Sequence, residues 1–166
     1  MKKRLFLLLL LSAVCLTSAT AATLQGIVTW IYDGDTIEVA KVGKVRLIGI
    51  DAPEKDDSDR DDFYLGQGVR RATLRHVAGQ SRQFLIDTVK GQPVTLETDA
   101  EEYDRHGRRL AYVILPDGSL LNEQLLERGY AAVYRRFNFR LKPEFEKAEA
   151  IARRHALGLW EPSSSP

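Results

Sequence analysis

DTIEVAKVGKVRLIGID, residues 35–51, contains two short runs rich in β-branched residues on either side of Lys41-Val42-Gly43. Valine, isoleucine and threonine favour extended backbone, and a glycine between two such runs favours a tight turn. The stretch therefore predicts a β-hairpin with strands over residues 36–40 and 44–50.

The rest of the chain predicts three more strands and about three helices. Strand-like runs lie at residues 24–32, 93–98 and 110–115, and helical patterns lie at residues 120–128, residues 143–155 and part of residues 80–88. Five short strands suit a small closed barrel, because closure leaves no strand edge exposed. The predicted fold class is α+β, mainly a β barrel.

The hairpin also predicts a site. Asp35 lies eight residues before Gly43 and Asp51 lies eight residues after it, so the two should face each other at the open end of the hairpin. Carboxylates repel at close range, and such a pair implies a cation or a shared proton. Oxygen ligands alone favour calcium or magnesium. For Asp33-Gly34 taken alone, the alternative of a simple turn is the better interpretation.

The first residues resemble an export signal. Lys2, Lys3 and Arg4 precede an apolar run over residues 5–16, and Ala19-Thr20-Ala21 is a small-x-small cleavage pattern. This is the pattern of a secretory signal peptide over residues 1–21, with an uncleaved anchor as the alternative. We therefore expect a protein cleaved near Ala21 and exported to the periplasm or the medium, with no membrane partner after cleavage.

Removal of this segment changes the charge balance. It carries three of the 24 basic residues and none of the 23 acidic residues, so the remaining chain has 21 basic against 23 acidic residues. Cys15, the single cysteine, leaves with it, which excludes disulfides and thiolate chemistry in the exported chain. A near-neutral balance also argues against a basic surface that coats nucleic acid, so phosphate binding must be local.

Three motifs in order closely resemble the staphylococcal (micrococcal, thermostable) nuclease family: DGDT at residues 33–36, VRLIGIDAPE at 45–54 and DRHGRRLAY at 104–112. The resemblance implies a five-stranded OB-fold barrel over residues 23–161, followed by a flexible tail at 162–166. It also implies a monomeric, calcium-dependent nuclease that acts on DNA and RNA, preferably in single-stranded or accessible regions. Such enzymes break the bond to the 5′ oxygen and leave 3′-phosphates.

Carried over position by position, the resemblance assigns roles to site residues. Asp35, Asp51 and the main-chain carbonyl of Ala52 would bind one calcium ion. Glu54 would be the general base or would orient the attacking water. Arg46 and Arg108 would bind the phosphate, for which a planar guanidinium is well suited. Of the neighbouring arginines, Arg108 should face the phosphate and Arg109 should face solvent, because side chains alternate along a strand.

Two departures from the family pattern concern the surroundings of the site. His106 stands where a tyrosine is common, so nucleotide binding would fall to Arg105, His106, Tyr134 and Phe137. The stretch at residues 55–77, hereafter the acidic segment, is longer than the matching family loop. It resembles the start of an EF-hand loop, but Asp62 and Gly68 stand where that loop needs Gly and Glu. We interpret it as a solvated acidic loop.

Two other functions fit parts of the sequence. A barrel of this kind also binds oligonucleotides without cleaving them. Alternatively, the acidic segment could serve an exported calcium-binding structural domain. Retention of the full set of carboxylates argues against the first, and Arg46 and Arg108 have no role in the second.

Overall fold

The computed structural model describes residues 23–162, and the predicted signal peptide and most of the predicted tail lie outside this range. Seven strands and four α-helices are present in this part of the chain, with a short 3₁₀ helix, Gly158–Trp160, near its end. The strands are β1 (Thr23–Ile31), β2 (Thr36–Val39), β3 (Gly43–Leu47), β4 (Ile50–Asp51), β5 (Pro93–Glu97), β6 (Arg109–Ile114) and β7 (Ala132–Val133). The helices are α1 (Asp61–Leu65), α2 (Arg71–Val89), α3 (Leu121–Glu127) and α4 (Lys142–Arg154).

Five strands close into a barrel in the order β1-β2-β3-β6-β5, with β5 returning to β1. All neighbours are antiparallel except β3 and β6, which run parallel. The predicted five-stranded OB-fold of the α+β class is therefore confirmed. Inward-facing Val, Ile and Leu side chains fill the barrel, and residues of α3 and α4 extend the same core.

Two predicted elements differ from the structure, and one sheet in the structure was not predicted. The third strand ends at Leu47 rather than at residue 50, and residues 50–51 form the separate strand β4. The helix predicted over part of residues 80–88 begins much earlier, at Arg71. The two-stranded sheet of β4 and β7 was not predicted, because a strand of two residues leaves no periodic pattern.

A second apolar cluster forms outside the barrel, where α1 and α2 pack beside the C-terminal segment. Its buried members are Tyr64, Val69, Leu74, Val77, Ala132 and Leu159. This cluster fixes the acidic segment against the barrel next to β4. No helix within residues 23–162 has the length and apolar character needed to cross a membrane.

Candidate active site

Asp35 lies in the turn between β1 and β2 and is 2% exposed. Its Oδ1 accepts a hydrogen bond from the Thr36 hydroxyl at 3.0 Å, and its Oδ2 accepts one from the Ala52 backbone N–H at 2.7 Å. Asp33 Oδ1 accepts the Asp35 backbone N–H at 3.0 Å, which is the turn role predicted for Asp33. Asp35 is thus held from both sides, by its own turn and by the chain after β4.

Asp51 reaches the same place by a route that the sequence did not predict. The β2–β3 register places Leu47, not Asp51, opposite Asp35, so the predicted pairing was wrong by four residues. The chain turns at Gly49, where φ is +77° and an added Cβ would lie 2.5 Å from the Phe139 ring. After this turn Asp51 pairs with Ala132 of β7, and its side chain points back to the end of β3 through its contact with Arg46.

Arg46, on β3, connects the two carboxylates. It is 8% exposed and forms ion pairs with Asp35 and, at 2.9 Å between Nη2 and Oδ1, with Asp51. Burial, with the neighbouring charges of Arg60 and Arg108, lowers the pKa of Arg46 to about 9, which leaves it charged at neutral pH. A charged guanidinium between two buried carboxylates is the centre of the site.

Glu54 follows Pro53 at the rim of this cluster, with its side chain one-third exposed. Its Oε1 lies 2.7 Å from Nη1 of Arg60, and its backbone carbonyl accepts a hydrogen bond from Arg75 at 2.6 Å. Burial and then the charge of Asp33 raise the pKa of Glu54, although nearby arginines oppose the rise. A carboxyl group with a raised pKa is a better proton acceptor than an ordinary glutamate.

Arg108 contacts the cluster through Thr36. Its Nε lies 2.7 Å from Asp104 Oδ2 and its Nη1 is 3.4 Å from the Thr36 hydroxyl, which itself donates to Asp35. Arg109 contacts neither of these groups and packs over Tyr103, with 4.5 Å between guanidinium carbon and ring centre. Its side chain is only 15% exposed, so the prediction that it faces solvent was wrong. The two arginines do point to different surroundings, as predicted.

The four predicted substrate-binding residues lie around the site rather than in the carboxylate cluster. Arg105 and His106 are exposed in the turn before β6 and contact each other, at 3.1 Å between Nε and Nε2. Tyr134 follows β7 and packs against Phe137 at 5.3 Å between ring centres. Tyr134 is also close enough to Arg60 to affect the pKa of that guanidinium.

The acidic segment is a solvated loop only in part: Asp56, Asp57, Asp59 and Asp62 are exposed, as predicted, but the segment is helical and partly buried from Asp61 onward. Asp61 is 1% exposed and forms ion pairs with Arg71, at 3.0 Å, and with Arg75. Tyr64 is fully buried, and its hydroxyl donates to the backbone carbonyl of Asp51 at 2.7 Å and to Asp51 Oδ2 at 3.0 Å. The segment therefore stabilises the site through the buried carboxylate of Asp61, which is ion-paired with partly exposed arginines, and through the buried Tyr64.

Sequence reasoning missed Arg60, which belongs to the acidic segment and enters the site. It forms ion pairs with Asp51 and Glu54, and its side chain is 38% exposed. Nothing in the sequence distinguishes this arginine from a solvated one between aspartates. Tyr64 could have been found, because an aromatic residue in a polar segment indicates a contact with the core.

The side chains present fit a hard cation. Asp35 and Asp51 offer only oxygen atoms, which is the donor chemistry that calcium prefers. No three His, Cys, Asp or Glu side chains group together as a metal site within residues 23–162. The predicted ligand set, with two carboxylates and one main-chain carbonyl, is not a group of that kind.

Comparison with known proteins agrees with the fold and the motifs. The family described as Staphylococcal nuclease homologue matches residues 44–162. A thermonuclease of Staphylococcus hyicus is 34% identical over 134 residues, which cover 78% of this chain and 72% of the relative. An uncharacterized protein of Methanocaldococcus jannaschii is 33% identical over 152 residues, which cover 84% of this chain and 73% of that relative. An uncharacterized endonuclease of Escherichia coli is 32% identical over 142 residues, which cover 84% of this chain and 78% of that relative. The chain belongs to the staphylococcal nuclease homologue family.

Proposed function

We propose that the protein is a calcium-dependent nuclease that hydrolyses phosphodiester bonds in DNA and RNA. The observation that carries this proposal is the cluster in which Arg46 joins two buried carboxylates, Asp35 and Asp51. Glu54 is connected to the cluster through Arg60, which contacts both Glu54 and Asp51. Family membership adds support, since relatives include proteins named thermonuclease and endonuclease.

In this proposal Asp35, Asp51 and the main-chain carbonyl of Ala52 hold one calcium ion. When bound, the ion supplies Lewis-acid polarisation of a phosphoryl oxygen and stabilises the charge that develops there. The carboxylates are already oriented by Thr36, Tyr64 and the Ala52 N–H, so they pay little ordering entropy on binding.

Glu54 accepts the proton of the attacking water or orients that water, and its raised pKa suits the first role. The water oxygen forms a bond to phosphorus, and the bond from phosphorus to the 5′ oxygen breaks. The leaving oxygen takes up a proton, and the phosphate stays on the 3′ oxygen of the other fragment. Arg46 and Arg108 bind the phosphate oxygens and stabilise the negative charge in the transition state.

The surroundings of the site suit an accessible single strand. Tyr134 and Phe137 offer rings for stacking, and Arg105 and His106 lie on an exposed turn. We further propose that the protein is a monomer exported through its N-terminal signal to the periplasm or the medium, with no membrane partner after cleavage.

A plasmid-nicking gel tests this function. The wild-type protein should nick supercoiled plasmid with calcium and not with excess EDTA. Asp35→Asn should be inactive, whereas the control Asp59→Asn, at an exposed position, should behave like wild type. Nicking in EDTA contradicts the metal assignment. Oligonucleotide binding without nicking indicates a binding module, and calcium binding with neither activity indicates a structural domain.

A further inference from the structure

Two exposed aromatic side chains lie together outside the site described above. Trp30 on β1 is 49% exposed and Tyr32, just after β1, is 41% exposed, whereas Ile31 between them is 1% exposed. Alternate residues of an extended chain point to the same side. Trp30 and Tyr32 therefore present their rings on one outer face of the barrel. A single exposed aromatic is ordinary, but an adjacent pair of exposed rings is a candidate interaction surface.

Each of these rings has a cation beside it. Lys90 Nζ lies 5.0 Å from the centre of the Trp30 ring, and Lys44 Nζ lies 4.0 Å from the centre of the Tyr32 ring. Arg82, on α2, donates to the backbone carbonyl of Ile31 at 3.4 Å, which places its guanidinium next to the same strand. Aromatic rings alternating with cations are the pattern that binds single-stranded nucleic acid, since bases stack on the rings and phosphates pair with the cations.

This aromatic face is continuous with the candidate active site. A cleft of about 1020 Å³ has Tyr32 and Arg82 in its lining, and the same lining includes Glu54 and Arg60. A strand whose scissile phosphate lies at Glu54 can therefore extend through the cleft to the face that carries Trp30. A base pair hides both bases from such a surface, so the occupant must be a single strand or an unpaired end.

We propose that Trp30 and Tyr32, with Arg82 and Lys90, form a second binding subsite for single-stranded nucleic acid. The proposal rests on the proposed nuclease function for its substrate. The rings stack two bases several nucleotides away from the cleaved bond, and Arg82 on α2 and Lys90 just after α2 contact the intervening phosphates. The subsite makes affinity depend on substrate length.

Binding in EDTA tests the subsite separately from cleavage. The affinities of a fluorescent trithymidylate and a dodecathymidylate are measured by anisotropy. The double variant Trp30→Ala/Tyr32→Ala should bind the dodecamer at least about 30-fold more weakly, since each of the two stacked bases contributes about 1–3 kcal/mol. Trimer binding should not change. Trp30→Phe/Tyr32→Phe should retain most of the affinity, and Ile151→Ala, which removes an exposed apolar side chain from α4, is the control.

The contribution of Arg82 and Lys90 is measured by the salt dependence of binding. Arg82→Gln/Lys90→Gln should reduce the slope of log affinity against log salt for the dodecamer by about 1–1.5, because each lost phosphate contact contributes about 0.7. The trimer slope should stay unchanged.

Two outcomes overturn the proposal: full dodecamer affinity in the double alanine variant, or an equal loss for trimer and dodecamer. Calcium-dependent cleavage of the trimer by the wild type reports on the nuclease function alone. If cleavage is absent while the dodecamer loss remains, the subsite stands and the nuclease function fails. If cleavage is present while no dodecamer loss occurs, the nuclease function stands and the subsite fails.

Discussion

Substitution of Arg60 by glutamine should increase the affinity of the protein for calcium. Arg60 forms an ion pair with Asp51, a proposed calcium ligand, and its Nη1 lies 2.7 Å from Glu54 Oε1. A calcium ion bound at Asp51 must either displace this guanidinium or remain beside it. In both cases the positive charge of Arg60 opposes binding of the ion, and glutamine removes that charge while keeping a polar, though shorter, side chain.

The size of the effect follows from Coulomb's law. A dication and a monocation about 5 Å apart repel by about 1.7–3.3 kcal/mol at an effective dielectric constant of about 40–80. Arg60 is 38% exposed, so salt and solvent screen part of this energy. A residual of about 1–2 kcal/mol corresponds to calcium binding that is about 5- to 30-fold tighter.

Isothermal titration of calcium into the metal-free protein measures this change directly. Arg60→Lys keeps the charge and should stay close to wild type. Arg70→Gln removes an exposed arginine from the same segment and should change the dissociation constant less than about twofold. A thermal melt of each variant establishes that it is folded. Unchanged or weaker binding in Arg60→Gln would refute the reasoning, and weaker binding would mean that Arg60 holds Asp51 in position for the ion.

Three further predictions concern the proposed reaction. Asp35→Asn should remove calcium binding in the same titration while the fold is retained, because an amide oxygen can still accept the Ala52 N–H; undiminished calcium affinity would contradict the ligand assignment. Glu54→Gln should lower turnover by roughly 100-fold. In the wild type, turnover should fall with decreasing pH as Glu54 is protonated. Because burial raises the pKa of Glu54, this fall should occur at a higher pH than for an ordinary glutamate, and Glu54→Gln should lack it. Arg108→Lys should strongly reduce turnover at saturating calcium, whereas the turnover of Arg109→Lys, whose side chain packs on Tyr103, should stay near wild type. A severe loss in Arg109→Lys with near-normal turnover in Arg108→Lys would show that Arg109, not Arg108, binds the phosphate.

The barrel was predictable because its strands carry their own signals. β-branched runs separated by glycine turns gave four of the five barrel strands to within a residue or two, and the motifs predicted the family. The boundary of β3 was not predictable, because residues 44–50 are equally strand-like throughout. A glycine inside such a run has the same appearance whether it extends the strand or, like Gly49 at φ +77°, ends it.

The proximity of Asp35 and Asp51 was expected from the wrong geometry. The hairpin alone would have placed them opposite each other, whereas the structure brings them together through the turn at Gly49 and the pairing of β4 with β7. That pairing depends on residues about 80 positions apart in the sequence, which no local pattern records. The motif was therefore a better guide to the site than the strand register.

The arginine contributed by the acidic segment changes the charge of the site in a way that fits the proposed chemistry. The carboxylates of Asp35, Asp51 and Glu54 and the guanidinium groups of Arg46, Arg60 and Arg108 are linked by ion pairs and hydrogen bonds, the last of them through Thr36. Asp104 is ion-paired with Arg108 and adds a fourth carboxylate, so the linked groups carry a net charge of about −1. A calcium ion added to them leaves a net charge of about +1. A phosphodiester carries one negative charge, and it approaches two as the nucleophile adds its own. The positive charge of the calcium-bound site would therefore stabilise the transition state more than the ground state, which is the condition for catalysis. In Arg60→Gln the net charge of the calcium-bound site falls to about zero, so tighter calcium binding should be accompanied by slower turnover at saturating calcium.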